Sequence, residues 1–374
     1  MRNLSTLRVD PRLGVGISAQ IRNAIALLIA DGGIQPGERL PAVRVLAGQL
    51  GVNVNTVRAA YARLAVDGLA ETRHGVGTVV LAPHLSRLPV GAPSAGASTV
   101  AVLIGGLDPF YLPLLRGIED VAAEHGLLVL IGDTRDSAAV AETMIRRLVA
   151  RGVAGIIAAS VGGIGRVEGE SRRGTGRVPP IVYVDQPERT GHVFLFDGRA
   201  AGAAATRHLF EHGHRRVGII TAPLAWPNVR QVFDGYADVL EESGPGVDPA
   251  LVSEVSEFSF EAGRAGLARL LDLASPPTAV FVAGEILAHG VLHEARARGV
   301  ALPGDLAIAG CTDSPAAALV EPPLTMVAVP AREMGVLAMR ALAELISGHA
   351  LRPRRTILDV ELVVRQSCGM HQGA

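Results

Sequence analysis

Residues 36–80 read PGERLPAVRVLAGQLGVNVNTVRAAYARLAVDGLAETRHGVGTVV, and the order of elements in that stretch decides the fold of the first part of the chain. A Pro-Gly turn opens it. A short helix is expected over 41–50, with Pro41 tolerated in the first turn and Gly51 ending it. Beyond the glycine, Val54, Val57, Tyr61 and Leu64 fall on one helical face and form a buried stripe, while Asn55, Arg58, Ala59 and Arg63 lie off it. Two short helices joined by a glycine turn, the second opening on polar residues, are the sequence form of a helix-turn-helix. Upstream, Ile17, Ile21, Ile25, Leu28 and Ile29 recur at helical spacing until Asp31-Gly32-Gly33 interrupts them, so a first helix is expected over 17–29. Downstream, AETRHGVGTVV supplies two β-prone pieces around a His-Gly-Val-Gly turn, which reads as a wing.

The second helix of such a motif enters the major groove, so Asn53, Asn55, Thr56 and Arg58 are expected near base edges or phosphates, with Arg63 on the same polar side. Arg73 and the backbone amides of Gly75 and Gly77 are placed at the wing tip against the sugar-phosphate backbone. Charge agrees: residues 1–82 carry nine Arg against five Asp or Glu, a balance of +4 in a chain of formal charge −1. The stretch resembles the GntR-type winged helix, and its VNxNTVRxAY form is most similar to the YtrA-type branch, without a gap over 17–81. That resemblance implies DNA-contacting roles for Arg44, Arg58 and Gly77. Ala42-Val43 stands where the family usually has Ser-Glu, and Val54 where Arg is frequent, so no base preference carries over.

Residues 82–98, APHLSRLPVGAPSAGAS, are rich in Pro, Ala, Gly and Ser and have no periodicity. They place a linker at 83–98, between a DNA-binding head of 1–82 and a second domain of 99–374. From Thr99 short apolar runs alternate with helical stretches: VAVLI, LLVLI, GIIAA and IVYV, then RVGIIT, LVSEVS, TAVFVA and LAIAG. Helices are expected near 111–125, 137–151, 229–242, 260–273 and 286–298. The alternation predicts an α/β domain of two Rossmann-like lobes with a cleft between them. Ligands of open α/β sheets bind beyond the carboxyl ends of the strands. Those positions hold Asp108, Phe110, Tyr111, Ser160, Asp185, Trp226, Arg230, Glu285 and the pair Thr312-Asp313, a set suited to a polyhydroxylated small molecule.

This half resembles the LacI-type effector domain, a relative of periplasmic sugar-binding proteins. The motifs that carry the resemblance are DGRAAGAAATRHLFEHGHRRVGII, PTAVFVAGEILAHGVL, GVALPGDLAIAGCTDSP, EPPLTMVAVPAREMGVLAMRAL and LVVRQS. It implies a type I periplasmic-binding-protein-like fold, an effector site and dimerisation. Departures are specific. Gly284-Glu285 replaces the usual Asn-Asp, Thr312-Asp313 the usual Asp-Asp, and Val232 the ligand-binding Arg, whose nearest substitute is Arg230. A glycine- and arginine-rich loop at 162–178 stands where a helix is usual.

Composition removes other classes. All 35 basic residues are Arg, so Schiff-base chemistry and a Walker-type phosphate loop, which need lysine, are excluded. Cys311 and Cys368 give no disulfide framework and no metal-type spacing, which points to a reducing, cytoplasmic setting. The run 88–107 is interrupted by Pro89 and Pro93 and reads as linker rather than membrane span, and no export signal opens the chain. His289 and His293, and His208, His212 and His214, have neither the glutamate of HExxH nor a cysteine partner, so no metal and no cofactor are expected. The expectation is a cytoplasmic, homodimeric, non-enzymatic regulator, a repressor of a near-palindromic operator under control of a small-molecule effector. A small-molecule receptor without a DNA role is the alternative.

Overall fold

The computed structural model describes residues 7–9, 16–30, 33–73, 77–81, 99–160, 179–243 and 246–369. The linker at 83–98, Gly75 and the loop at 162–178 lie outside them. The described residues divide into two compact units, one within 1–106, 123–181 and 342–350 and the other within 107–122, 182–341 and 351–374.

The head is built from α1 (Ile17–Ala30), α2 (Val43–Leu50), α3 (Val54–Val66) and an antiparallel hairpin of β1 (Ala70–Arg73) and β2 (Gly77–Val80). Ile21, Ile25, Leu46, Val57 and Leu64 are fully buried and make its core. The stripe on α3 differs from expectation at one end: Val54 is half-buried, and Ala60 joins the buried face. Helix α2 starts later than Pro41 because Ala42 is extended, at φ −56° and ψ 141°, and the Tyr61 hydroxyl donates to the Pro41 carbonyl at 2.9 Å. Packing of α3 thus holds Pro41 outside the helix. Gly51 ends α2 at φ 64°, in the left-handed region that glycine favours, and turns the chain into α3. Arg22 donates to Asp67 at 2.9 Å and fastens α1 to the C-terminal end of α3. Burial raises the Asp67 carboxyl and lowers the Arg22 guanidinium against the attraction of the pair.

The remaining elements, in chain order, are β3 (Thr99–Ile104), α4 (Tyr111–Glu124), β4 (Leu128–Asp133), α5 (Ala138–Ala150), β5 (Gly155–Ala159), β6 (Ile181–Val184), β7 (His192–Phe196) and α6 (Gly198–Glu211). They continue with β8 (Val217–Thr221), α7 (Pro227–Glu242), β9 (Val252–Glu254), α8 (Phe260–Leu271), β10 (Ala279–Val282), α9 (Glu285–Ala297) and β11 (Ala307–Cys311). The last are β12 (Thr325–Ala328), α10 (Ala331–Ile346), β13 (Arg355–Leu358) and β14 (Glu361–Val363). Two six-stranded sheets result, of order β13-β7-β6-β5-β3-β4 and β14-β12-β11-β10-β8-β9. Among the registered pairs of these two sheets β12 with β14 is antiparallel and the others are parallel. The mixed α/β fold is as expected. Strands β7 and β12–β14, and helices α6 and α10, were not foreseen from periodicity. Strand β7 is one unbroken buried run, HVFLF, which carries no alternation to read.

Glycines set the helix packing. A Cβ on Gly202 would stand 1.9 Å from the Val232 carbonyl oxygen, and one on Gly235 1.9 Å from that of Arg199, so α6 and α7 close on a reciprocal pair. Gly263 with Gly290 does the same for α8 and α9, and Gly117 with Gly335 for α4 and α10.

Candidate functional site: a nucleic-acid interface and a receptor site

The outer face of α3 carries the expected side chains. Asn55, Arg58 and Arg63 are exposed, and Arg44 stands exposed on α2. Asn55 Oδ1 accepts from Arg58 Nη1 at 2.5 Å, which holds two groups able to read base edges side by side. Asn53 has a different part. Its side-chain oxygen accepts from the Asn55 amide at 2.8 Å, so it caps α3 rather than presenting that oxygen outward. Thr56 is half-buried beside it. In the wing, Arg73 is paired across the hairpin with Gly77, whose φ of 102° only glycine adopts readily, and its guanidinium engages Glu71. Residues 38–40 extend the hairpin, with Val80 N donating to Glu38 O and Leu40 N to Thr78 O, both at 2.8 Å.

The second set of predicted residues divides. Asp185 is buried in the left-handed region at φ 52° and accepts from Asn228 Nδ2 at 2.7 Å. Its charge is felt by the Cys311 thiol, which burial pushes up to about 12. Glu285, 2% exposed, opens α9; its Oε1 accepts from the Ser314 hydroxyl and lies 3.4 Å from His289 Nε2. Among the described residues its Oε2 accepts no hydrogen bond. Asp313 is held by a two-pronged ion pair, with Arg365 Nη1 and Nη2 at 2.7 and 2.8 Å, and that bond raises the guanidinium. The Arg365 guanidinium also feels the charge of Glu285, so β10, β11 and the segment after β14 deliver these groups to one neighbourhood.

Trp226 lies 6.1 Å from the Phe258 ring, and Phe258 Cε1 would stand 2.7 Å from a Cβ on Gly284. The ring fills the space a side chain at 284 would need, which is the physical reason for glycine there. Phe110 packs edge-on against buried Tyr111 at 5.2 Å and near Phe196 at 6.4 Å, and Asp108 Oδ1 accepts from the Phe110 amide at 2.8 Å. Ser160 follows β5 at φ 52°. Arg230 does not join the carboxylates in any described bond; it donates to Leu224 O at 3.2 Å and lies over the Phe233 ring at 5.3 Å. Val232 is buried beside α6, with its Cγ2 3.4 Å from where a Gly198 Cβ would be.

Asn228, Phe258, Ser314 and Arg365 were missed. Arg365 lies in the LVVRQS motif, but its partner is 52 residues away in sequence, and no local spacing announces it. His293 packs against Phe260 at 5.4 Å, so the i, i+4 spacing with His289 serves packing and Glu285. The absence of a cysteine near the other histidines is corrected by the fold: Cys368 Sγ stands 3.1 Å from His208 Nε2.

A winged helix-turn-helix followed by parallel α/β sheets with polar groups gathered at strand ends defines a transcription regulator with a small-molecule receptor domain. Residues 17–80 match the family described as bacterial regulatory proteins, gntR family, and residues 206–368 match the periplasmic binding protein-like domain. The chain is 33% identical over 272 residues to the HTH-type transcriptional repressor CytR of Escherichia coli, covering 72% of this chain and 79% of that protein. It is 31% identical over 265 residues to the HTH-type transcriptional regulator CelR of Thermobifida fusca, covering 70% and 76%. The structure of transcription regulator GntR from Chromobacterium violaceum is similar at TM-score 0.64 and 32% identity, over 72% of this chain and 99% of that one. The chain belongs to the LacI-type family of transcription regulators and carries a gntR-type head. It is a DNA-binding regulator, which removes the alternative of a receptor without a DNA role. No described helix is long and apolar enough to cross a membrane.

Proposed function

We propose that the chain works in the cytoplasm as a homodimeric repressor of a near-palindromic operator, and that a sugar or related polar metabolite in the receptor domain sets its DNA affinity. The working division is head 1–82, linker 83–98 and receptor 99–374. The observation that carries the DNA reading is the exposed Asn55–Arg58 pair on α3, flanked by Arg44, Thr56, Arg63 and the Arg73–Gly77 end of the wing. Dimerisation is supported by β4, an edge strand on which Leu128, Leu130 and Ile131 are 67%, 46% and 51% exposed. An apolar edge of this kind needs a cover.

The effector reading rests on Asp185, Asn228 and Glu285, with Trp226 and Phe258 supplying a ring face. A ligand hydroxyl donating to Glu285 Oε2 would satisfy that buried oxygen. The structure described as a CelR–cellobiose complex covers 88% of this chain at TM-score 0.66 and 26% identity, and supports a carbohydrate as the first ligand class to try. Gel-shift titration with the chain's own upstream DNA tests the proposal. Sequence-dependent binding that weakens steeply with salt is expected, and its absence overturns the reading. A thermal-shift screen of sugars, sugar phosphates and nucleosides tests the effector, because a ligand at a hundred times its Kd stabilises by roughly 2.7 kcal/mol.

A further inference from the structure

Near the C-terminal end of α6 the fold gathers two imidazoles and a thiol that play no part in either site above. His208, in the last turn, is 5% exposed, His212 is the half-buried C-cap, and Cys368 is fully buried. One ligand atom from each lies within 4.8 Å of the others. We propose that His208, His212 and Cys368 form a zinc site that clamps the segment after β14 to the end of α6.

Three features favour a cation here. First, His212 Nδ1 lies 2.8 Å from the His208 carbonyl oxygen, which can only accept; the proton therefore sits on Nδ1 and the lone pair on Nε2. A ligating histidine held by a backbone carbonyl through its other nitrogen is the usual outer-shell arrangement of zinc sites. Second, the Thr325 hydroxyl donates to Cys368 Sγ at 3.1 Å, and His208 Nε2 also stands 3.1 Å from it, so the buried sulfur faces polar partners rather than an apolar wall. Third, the carbonyls at the end of α6 give that helix terminus the negative end of its dipole.

The spacing is close to what an ion requires. Tetrahedral bonds of about 2.0 Å to nitrogen and about 2.3 Å to sulfur put N and S about 3.5 Å apart, so seating the ion asks the pair to open by about 0.4 Å. His212 is half-buried, and a zinc ion held by these three residues would take a water as its fourth ligand. On binding, the Cys368 thiol loses its proton to solvent as the S–Zn bond forms, and no oxidant or reductant is involved. Thr325 also accepts from the Arg365 amide at 2.9 Å, which links the clamp to the residue that holds Asp313.

The test uses the full chain, stripped with a chelator and titrated with Co2+ and then Zn2+. One equivalent of Co2+ is expected to give a sulfur-to-cobalt charge-transfer band that Zn2+ abolishes. Zn2+ is also expected to raise the unfolding temperature. Cys368→Ser loses the band, His212→Gln weakens binding at least tenfold, and His214→Gln, outside the cluster, binds like the parent. Circular dichroism establishes that each variant is folded, and half-buried His212 is the position whose replacement leaves the core intact. No band in the folded parent chain overturns the proposal, as does a band that survives in Cys368→Ser or is unchanged in His212→Gln.

Discussion

The recognition helix and the receptor's strand ends both carry polar side chains, yet they hold them in opposite ways. On α3, Asn55, Arg58 and Arg63 are exposed, and the one described bond among their side chains links Arg58 to Asn55. After β6 and β10, Asp185 and Glu285 are buried, and after β11 Asp313 is locked to Arg365. The contrast fits the ligands proposed for the two regions. A phosphate backbone brings its own dense charge and is met by solvated cations that shed counterions. A small neutral molecule must be recognised by groups already fixed, because each group ordered on binding costs conformational entropy. The receptor's strand-end polar groups are therefore part of its stability, and those on the outer face of α3 are not.

Asp313→Ala is the strongest way to break this comparison. It leaves the Arg365 guanidinium in a partly buried position without its carboxylate. Loss of about 2–3 kcal/mol of unfolding free energy is expected for such a pair, discounted for its partial exposure. Denaturant titration measures it; an unchanged midpoint would put Asp313 among groups held in reserve, like those of α3. Arg58→Ala comes next and should act on the opposite quantity. Operator affinity falls by about 1–3 kcal/mol, with discrimination relaxed at the base it reads, while stability stays within about 0.5 kcal/mol. Gel-shift and denaturation on the same preparation separate the two.

The same contrast explains what was legible in the sequence. The head's buried stripe, its glycine turn and its exposed arginines all lie within one contiguous stretch, so their spacing encodes their placement. Asn53 shows where spacing is ambiguous, because a cap and a groove contact call for the same residue type at that position, and its side-chain oxygen caps α3. In the receptor the strands and helices were legible, and so were Asp185, Glu285 and Asp313 as strand-end groups. Their partners were not. Asn228 meets Asp185 across 43 residues of chain and Arg365 meets Asp313 across 52, distances at which only the fold decides proximity. His208 and Cys368, 160 residues apart, are the extreme case. The glycine at 284 looked like a lost ligand residue, whereas Phe258 fills its place from another element.

Arg63→Ala sharpens the comparison at lower amplitude. Arg63 lies two turns from the start of α3 and is exposed, a position suited to a phosphate rather than a base. Affinity should then fall almost equally for operator and unrelated DNA, and the slope of log K against log salt should become shallower by about 1. A selective loss for the operator would instead place Arg63 against a base edge.

The smallest effect concerns pH and again divides the two regions. Arginines remain charged across the accessible range, so the head's contacts are expected to be insensitive between neutral and mildly acidic conditions. The receptor differs at His214, whose imidazole is lowered first by burial and then by the charge of His212, and whose Nδ1 lies 3.0 Å from Thr278 Oγ1. A lowered value in the folded chain means that the unfolded chain takes up the proton first. The contribution of His214 is therefore complete above the unfolded imidazole's value of about 6.5 and is lost as pH falls through that value towards the folded one. Denaturation across this window should show stability declining on acidification in the parent chain and declining less steeply in His214→Gln, with operator affinity at fixed folded fraction unchanged. Parallel pH profiles for the two chains would mean that the His214 ring is solvated in the folded state and that the receptor's side chains are held no more tightly there than those on the face of α3.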